Sequence, residues 1–360
     1  MQPNVHILRQ IDVGDSVHLE RVAECLKQRE FTRGTTVLGA SPDAAGPGVV
    51  LRHEPLDLRL GRTEVGGHAA DVRARIFDFG VVAFRFTIVP RDAGAAALVD
   101  LGSRLARESA TFDATARALW QVLGRDLKDA VVPWEEEGAT ELMEDFVVFA
   151  LPEIPPSELA PEAVIAHLLL GEPRSKRLAA STVHEISRRT IRYYEDDLVV
   201  VDFDAAVVVD QDGAPDLVDI FEIASAQLLE LRFYDGMLGR ALEMLLRDVR
   251  RARTAVWFFR SPFRQLARRA AVLALELGEL TDRLERTITL VGDTYSTQVY
   301  RDAALRFRLA DASASVREKV GILGRVSEAL GHEIYARRDL VLEILVIVLI
   351  AVEVAAAFRQ

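Results

Sequence analysis

The pattern of apolar positions changes partway along the chain. Up to about residue 212 two periods alternate, and beyond it only one persists. Runs rich in Val, Ile and Phe at Val49 to Leu58, Ile76 to Val89, Asp145 to Leu151 and Leu198 to Asp210 predict strands, because β-branched and aromatic side chains suit a pleated surface. Between them, apolar residues recur every three to four positions over Val17 to Gln28, Ala95 to Glu108, Thr111 to Lys128 and Pro161 to Leu170, which predicts helices. Pro161 stands where a first helical turn tolerates proline. The mixture predicts an α+β domain over 1–212, with the stretch LPEIPPSELAP at 151–161 and its four prolines as a candidate internal division.

From Pro215 onward the strand signal is gone. Leu231, Tyr234, Leu238, Leu242, Leu245 and Val249 mark one face of a first helix. A second carries the seam Leu266, Ala270, Leu273, Leu277, Leu280 and Leu284, and a third the seam Val316, Val320, Leu323, Ser327, Leu330 and Ile334, each alternating three and four apart. Two such seams predict a coiled-coil-like helical region over 213–338, packed within one chain or between copies, so a homo-oligomer is an expected partner.

The chain ends on LVLEILVIVLIAVEVAAAF at 340–358, which has no Lys or Arg. At 1.5 Å per residue it is about long enough for a hydrocarbon layer of ~30 Å. A C-terminal transmembrane or oligomerisation helix is therefore expected. Arg337 and Arg338 precede it, as the positive-inside tendency asks of a cytoplasmic flank. Glu343 can reach headgroups, whereas Glu353 lies deeper, where a carboxylate costs roughly 2.5–3.5 kcal/mol. Arg337, Arg338, Glu343 and Glu353 are thus the candidate anchor or helix-contact residues.

Composition narrows the picture. With 360 residues, half of them apolar and 28% charged, the chain has material for about two folded units plus a tail. A net charge of −11 excludes a surface built throughout to grip nucleic acid. The single Cys25 excludes an internal disulfide or a Cys-rich zinc site, and beside Val22 and Leu26 it is expected to be a small buried apolar side chain. No basic start followed by an apolar run marks a secretory signal.

One segment runs against the acidic balance. Arg247 to Arg269 holds eight arginines and one aspartate. Its candidate contact residues are Arg250, Arg251, Arg253, Trp257, Phe258, Phe259, Arg260, Arg264, Arg268 and Arg269. Three readings stand: an anionic lipid surface, RNA with rings stacked on bases, or a core contact whose arginines pair with carboxylates.

Candidate chemistry is sparse. Gly66-Gly67-His68 lacks the spacing and following Lys of a phosphate loop, the seven histidines show no metal-ligand spacing, and no Gly-x-Ser-x-Gly elbow occurs. In YYEDDLVVVDFDAAVVVD, Asp202 and Asp204 would share one side of a strand and are weak candidates for Mg²⁺ or Ca²⁺, against the plainer reading of a strand with Val201 and Phe203 inward. Neither catalytic residues nor a cofactor nor a small-molecule substrate is expected.

Five stretches together resemble the required-for-meiotic-nuclear-division family, also called the YagE-type family of unknown function. They are FDFGVVAFRF (Phe77 to Phe86), YYEDDLVVVDFDAAVVVD (Tyr193 to Asp210), ASAQLLELRFYDGMLGRAL (Ala224 to Leu242), EKVGILGRVSEAL (Glu318 to Leu330) and RRDLVLEILVIVLIAVEV (Arg337 to Val354). The resemblance implies membrane association and a tethering role, with no catalytic residues. Four lysines among 44 basic residues look like a high-GC bacterium. The expectation is a non-enzymatic, membrane-anchored oligomeric scaffold at a bacterial inner membrane, its soluble part cytoplasmic. The alternatives are an RNA- or ribosome-associated adaptor and, more distantly, a metal-dependent hydrolase using 195–210.

Overall fold

A computed structural model describes residues 2–26, 31–33, 37–38, 49–134, 142–211, 215–254, 263–285, 288–290 and 295–357. In chain order the elements are β1 (Asn4–Asp12), β2 (Ser16–Val17), α1 (Leu19–Cys25), β3 (Phe31–Arg33), β4 (Val37–Leu38), β5 (Val49–Leu51), β6 (Leu56–Val65), β7 (His68–Ile76) and β8 (Val81–Ile88). There follow α2 (Ala95–Arg107), α3 (Ser109–Asp126), β9 (Val131–Val132), β10 (Met143–Leu151), α4 (Pro161–Leu170), α5 (Ala180–Ser187), β11 (Leu198–Val201) and β12 (Ala205–Val209). The chain then runs through α6 (Pro215–Thr254), α7 (Phe263–Glu285), β13 (Ile288–Leu290), α8 (Tyr295–Arg306) and α9 (Leu309–Ala357). Two compact units result, Met1–Phe233 with Arg283–Ala312 and Tyr234–Asp282 with Ser313–Gln360.

The first unit is mixed α/β. Its eight-stranded sheet has the order β11-β12-β10-β1-β8-β7-β6-β3. Neighbours are antiparallel except β10 and β12, which run parallel with the α4–α5 segment between them in sequence. Along each strand alternate residues serve opposite faces. Val5, Ile7 and Ile11 of β1, Phe84 and Phe86 of β8 and Phe149 of β10 pack with α2, α3 and α4 in one core. On the other face Phe146 meets Phe221 of α6 and Phe307 just after α8, with ring centroids 5.6 and 5.0 Å apart.

Local chemistry sets the punctuation. Gly66 and Gly67, at φ 59° and 75°, make the two-residue turn of the β6–β7 hairpin, which only glycine adopts cheaply at both positions. Helix α4 begins on Pro161 and ends at Gly171 in the left-handed region. The central strand β1 escapes a reading from apolar pattern because Arg9, Gln10 and Asp12 within it are buried. Arg9 is accommodated by Asp113 and Ser109 of α3, at 2.6 and 2.7 Å.

Under α6 lies a buried ionic cluster. Arg75 of β7 forks onto Asp57 of β6 at 2.6 and 2.9 Å and reaches Asp219 of α6 at 2.9 Å. Arg85 of β8 donates to Glu222 at 2.7 Å and also pairs with Asp219. Burial pushes the Asp219 carboxyl up, but Arg85 and Arg75 override it and hold it below the usual range. Burial raises Glu222, and there the same two arginines do not compensate.

Several expectations fail. Among the described residues no helix is long and apolar enough to cross a membrane, which overturns the transmembrane helix at 340–358 and the inner-membrane location that rested on it. The physical reason lies in the glutamates. Between Glu343 and Glu353 only nine apolar residues run uninterrupted, roughly 14 Å of helix against a ~30 Å layer. Glu343 is exposed on α9, while the side chains of Arg337, Arg338 and Glu353 lie outside the described residues. Cys25 is exposed rather than buried, since Val22 and Leu26 take the inward positions of its turn.

Removing one partner of a buried charge cluster strands the others. Arg85→Met is expected to lower unfolding free energy by about 3–5 kcal/mol at pH 7, read from urea denaturation. Asp219 is an acid with a depressed folded pKa, so its stabilisation is present above its unfolded pKa and lost as pH falls through the folded value. The gap between the two proteins should therefore narrow on acidification below about pH 4.

Candidate active site

Three chain segments converge at one end of β7 and β8. The turn Phe77–Gly80 joins those strands, and Phe77 and Phe79 stack inward with centroids 5.0 Å apart, which turns Asp78 between them toward the surface. The link from β1 to β2 is stitched to this turn. Val13 N–H donates to Gly80 O and Val17 N–H to Asp78 O, both at 2.9 Å. Gly80 sits at φ 97°, and a Cβ there would lie 2.0 Å from the Gly14 carbonyl oxygen, so both the conformation and the space require glycine. The third segment, Arg52 to Pro55, connects β5 to β6 and carries His53.

His53 Nδ1 meets Asp78 Oδ2 at 2.5 Å. A carboxylate on Nδ1 favours the neutral tautomer that carries its proton there, which leaves Nε2 able to accept one. Asp78 is 23% exposed and His53 52%, so the carboxylate is sheltered while the imidazole remains reachable. Both border a cleft of about 770 Å³ lined also by Ser16, His18, Glu20, Arg33, Arg52 and Glu54. Arg33 approaches Glu54 at 3.5 Å, and Arg52 has no ion-pair partner among the described residues. The cleft thus offers charge of both signs around an oriented base.

Beside the stitch, Asp12 at the end of β1 is buried, and neither of its oxygens makes a hydrogen bond of ordinary geometry among the described residues. Burial, outweighing the nearby Gly14 amide and Trp134 indole and aided by Asp15, pushes its carboxyl up to about 8.

The sequence-derived candidates fall elsewhere. Asp202 and Asp204 occupy the turn between β11 and β12 rather than a strand, where Asp202 approaches Arg189 at 3.4 Å. Among the described residues no group of three or more His, Cys, Asp or Glu can hold a metal ion. Arg250, Arg251, Arg264, Arg268 and Arg269 are exposed on α6 and α7. Trp257, Phe258, Phe259 and Arg260, with the side chain of Arg253, lie outside the described residues. The His53–Asp78 pair was missed because 25 residues separate its members, and no local spacing announces it. Gly80 was the one available signal, a glycine inside an otherwise strand-like run.

Comparison with known proteins gives a family. Residues 2–216 match the model of the family described as "Uncharacterized protein MJ0711, N-terminal domain". Uncharacterized protein MJ0711 of Methanocaldococcus jannaschii is 22% identical over 179 residues, 49% of this chain and 54% of that protein. The chain therefore spans about half the length of this curated relative. No solved structure matches. The match is to an archaeal family and replaces the resemblance to the YagE-type family and the bacterial assignment, for which nothing was found. The stretches behind that resemblance are general in kind: alternating strand residues, core positions of α6 and an apolar helix end.

Two predictions follow from the stitch. Gly80→Ala is expected to lose about 2–4 kcal/mol in urea denaturation, since strain and a backbone clash add. Gly61→Ala, at φ 90° with nothing within 4 Å of the new methyl group, should lose only about 1 kcal/mol. The folded state holds the Asp12 proton up to about pH 8, whereas the unfolded chain releases it near 3.8. Stability contributed there is present at low pH and declines by up to about 1.4 kcal/mol per unit as pH rises across that window. Asp12→Asn should flatten the decline, with its advantage largest near pH 8 in pH-resolved denaturation.

Proposed function

The chain belongs to the MJ0711 N-terminal domain family, whose match includes every residue named in the cleft, and we propose that this cleft is an enzyme site for a small polar substrate. The observation that carries the reading is the 2.5 Å contact from His53 Nδ1 to Asp78 Oδ2. Nε2 takes a proton from a substrate group or from a water directed at the substrate. Asp78 fixes the tautomer and stabilises the imidazolium that forms. Arg52 and Arg33 offer positive charge to an anionic portion, and Glu20 and Glu54 accept donors, so a substrate with groups of both kinds suits the lining.

The test begins with the ring itself. At pH 8 the ¹⁵N shifts of His53 are expected to report the Nδ1–H tautomer, and Asp78→Asn should abolish that preference. In a screen of ester, phosphoester and amide substrates, His53→Gln should reduce any turnover by about 10²–10⁴-fold without altering the fold. A ring found as the Nε2–H tautomer, indifferent to Asp78→Asn, would sink the idea.

A second reading rests on a different observation, the exposure of Arg250, Arg251, Arg264, Arg268 and Arg269 in an acidic chain. These support RNA contact by the second unit. Ultraviolet crosslinking to RNA in cells, lost on Arg264→Glu with Arg268→Glu, would support it, and equal crosslinking of both forms would end it.

A further inference from the structure

The connection from α5 to β11 closes on its own side chains. Arg192 donates to the carbonyls of Glu195 and Asp197 at 3.0 and 3.4 Å, and the Asp197 carboxylate accepts the Tyr193 N–H at 2.8 Å. Ile191 and Val199 bridge its base. Asp197 is buried, so the loop turns its anchor inward and its tip outward. Tyr193 and Tyr194 stand on that tip, 62 and 66% exposed.

Their rings meet at 89° with centroids 4.7 Å apart, which makes two walls of a corner. Tyr295, at the start of α8, adds a third ring 5.8 Å from Tyr193. The surroundings are acidic, with Glu195 and Asp196 exposed beside the tyrosines. Burial first, then the charges of Asp197 and Asp210, push the Tyr295 hydroxyl above its ordinary range against the opposing charge of Arg192, so the field of both carboxylates reaches the rings. Elsewhere the chain covers aromatic faces with its own cations. Arg9 lies 5.9 Å from the centre of Phe112 and Arg232 5.6 Å from that of Phe203. Among the described residues no cationic side chain lies over Tyr193 or Tyr194.

We propose that Tyr193, Tyr194 and Tyr295 form an aromatic corner that binds the quaternary ammonium group of a small molecule. The face of an aromatic ring is negative and attracts a cation, and the neighbouring carboxylates add to that potential. Two of those carboxylates are already engaged, Asp197 by the Tyr193 N–H and Asp196 by Gln211 Nε2 at 3.1 Å. They supply charge more than vacant acceptors, which suits a cation with no N–H to donate. A primary ammonium is strongly hydrated and loses more on leaving water. None of these tyrosines lines the His53 cleft, so the proposal stands independently of the reading given to that cleft.

Choline and its neutral isostere, with carbon in place of nitrogen, separate charge from shape. When the full chain carries ring-¹³C tyrosine, choline is expected to shift the Tyr193 and Tyr194 ring resonances saturably, with Kd on the order of 1 mM. The isostere should bind at least about tenfold more weakly. Tyr193→Leu with Tyr194→Leu should weaken choline about tenfold, whereas Tyr193→Phe, which keeps the ring, should stay within about threefold. Both tyrosines are exposed, so circular dichroism is expected to be unchanged in every variant, and His53→Gln should leave choline binding as it was. Equal affinity for the isostere would overturn the proposal. So would the absence of saturable shifts at Tyr193 and Tyr194, or undiminished binding by the double leucine chain.

Discussion

Arg75 and Arg85 lie among three largely sheltered carboxylates, of which Glu222 is fully buried, and the seating of α6 on the sheet follows from that pairing. Asp219 and Glu222 are three residues apart and so project from one side of the helix. The arginines stand on the adjacent strands β7 and β8, in a register that pairs Arg75 with Ala83 and Arg73 with Arg85. Two points on the helix held to two points on the sheet fix both its rotation and its position along the axis. Apolar packing is non-directional and would tolerate a slide of one turn that these pairs do not. The cluster is also one positive charge short, with two guanidinium groups against Asp57, Asp219 and Glu222. The imbalance falls on the carboxyl farthest from solvent: Glu222, 1% exposed, is the one pushed up, while Asp219 is held down.

The same strands position the candidate chemistry. Arg75 precedes Asp78 by three residues, and Gly80 opens onto β8 five residues before Arg85. A turn between strands clamped from one face has little freedom at its base, and the bonds from Val13 and Val17 restrain its tip. Asp78 is thus presented from rigid backbone, and His53, carried by a connection, is oriented by it. An oriented base on a fixed anchor is the arrangement proton transfer needs, because a shift of an ångström at either partner degrades the transfer.

How much of this could be read in the residues depended on regularity. Helices α2, α3 and α4 and strand β10 carry clean periods, and their expected positions agree with the structure to within a few residues. The long runs Val49 to Leu58, Ile76 to Val89 and Leu198 to Asp210 were each read as one strand, and each is interrupted. In the first two the interruption is a cleft segment, Arg52 to Pro55 and Phe77 to Gly80, and in the third it is the turn at Asp202 to Asp204. Phe77 and Phe79 face the interior and so extend the apolar pattern straight through the turn. Strand β1 failed for the opposite reason, since its buried Arg9, Gln10 and Asp12 look like solvent positions until their surroundings are known. Pattern reading is weakest where a local pattern is broken for tertiary reasons.

The apolar helix at the end of the chain shows a related ambiguity. Continuous apolarity around a helix states that every side must be covered, and length alone made a hydrocarbon layer the natural cover. The two glutamates change the inference, because they divide the run into a piece too short for that layer and fall off the seam that organises the preceding turns. The family match ends at residue 216, beside the first residue of α6, so the cleft lies within the shared part of the chain and α9 beyond it. The candidate chemistry therefore rests on the shared stretch of sequence.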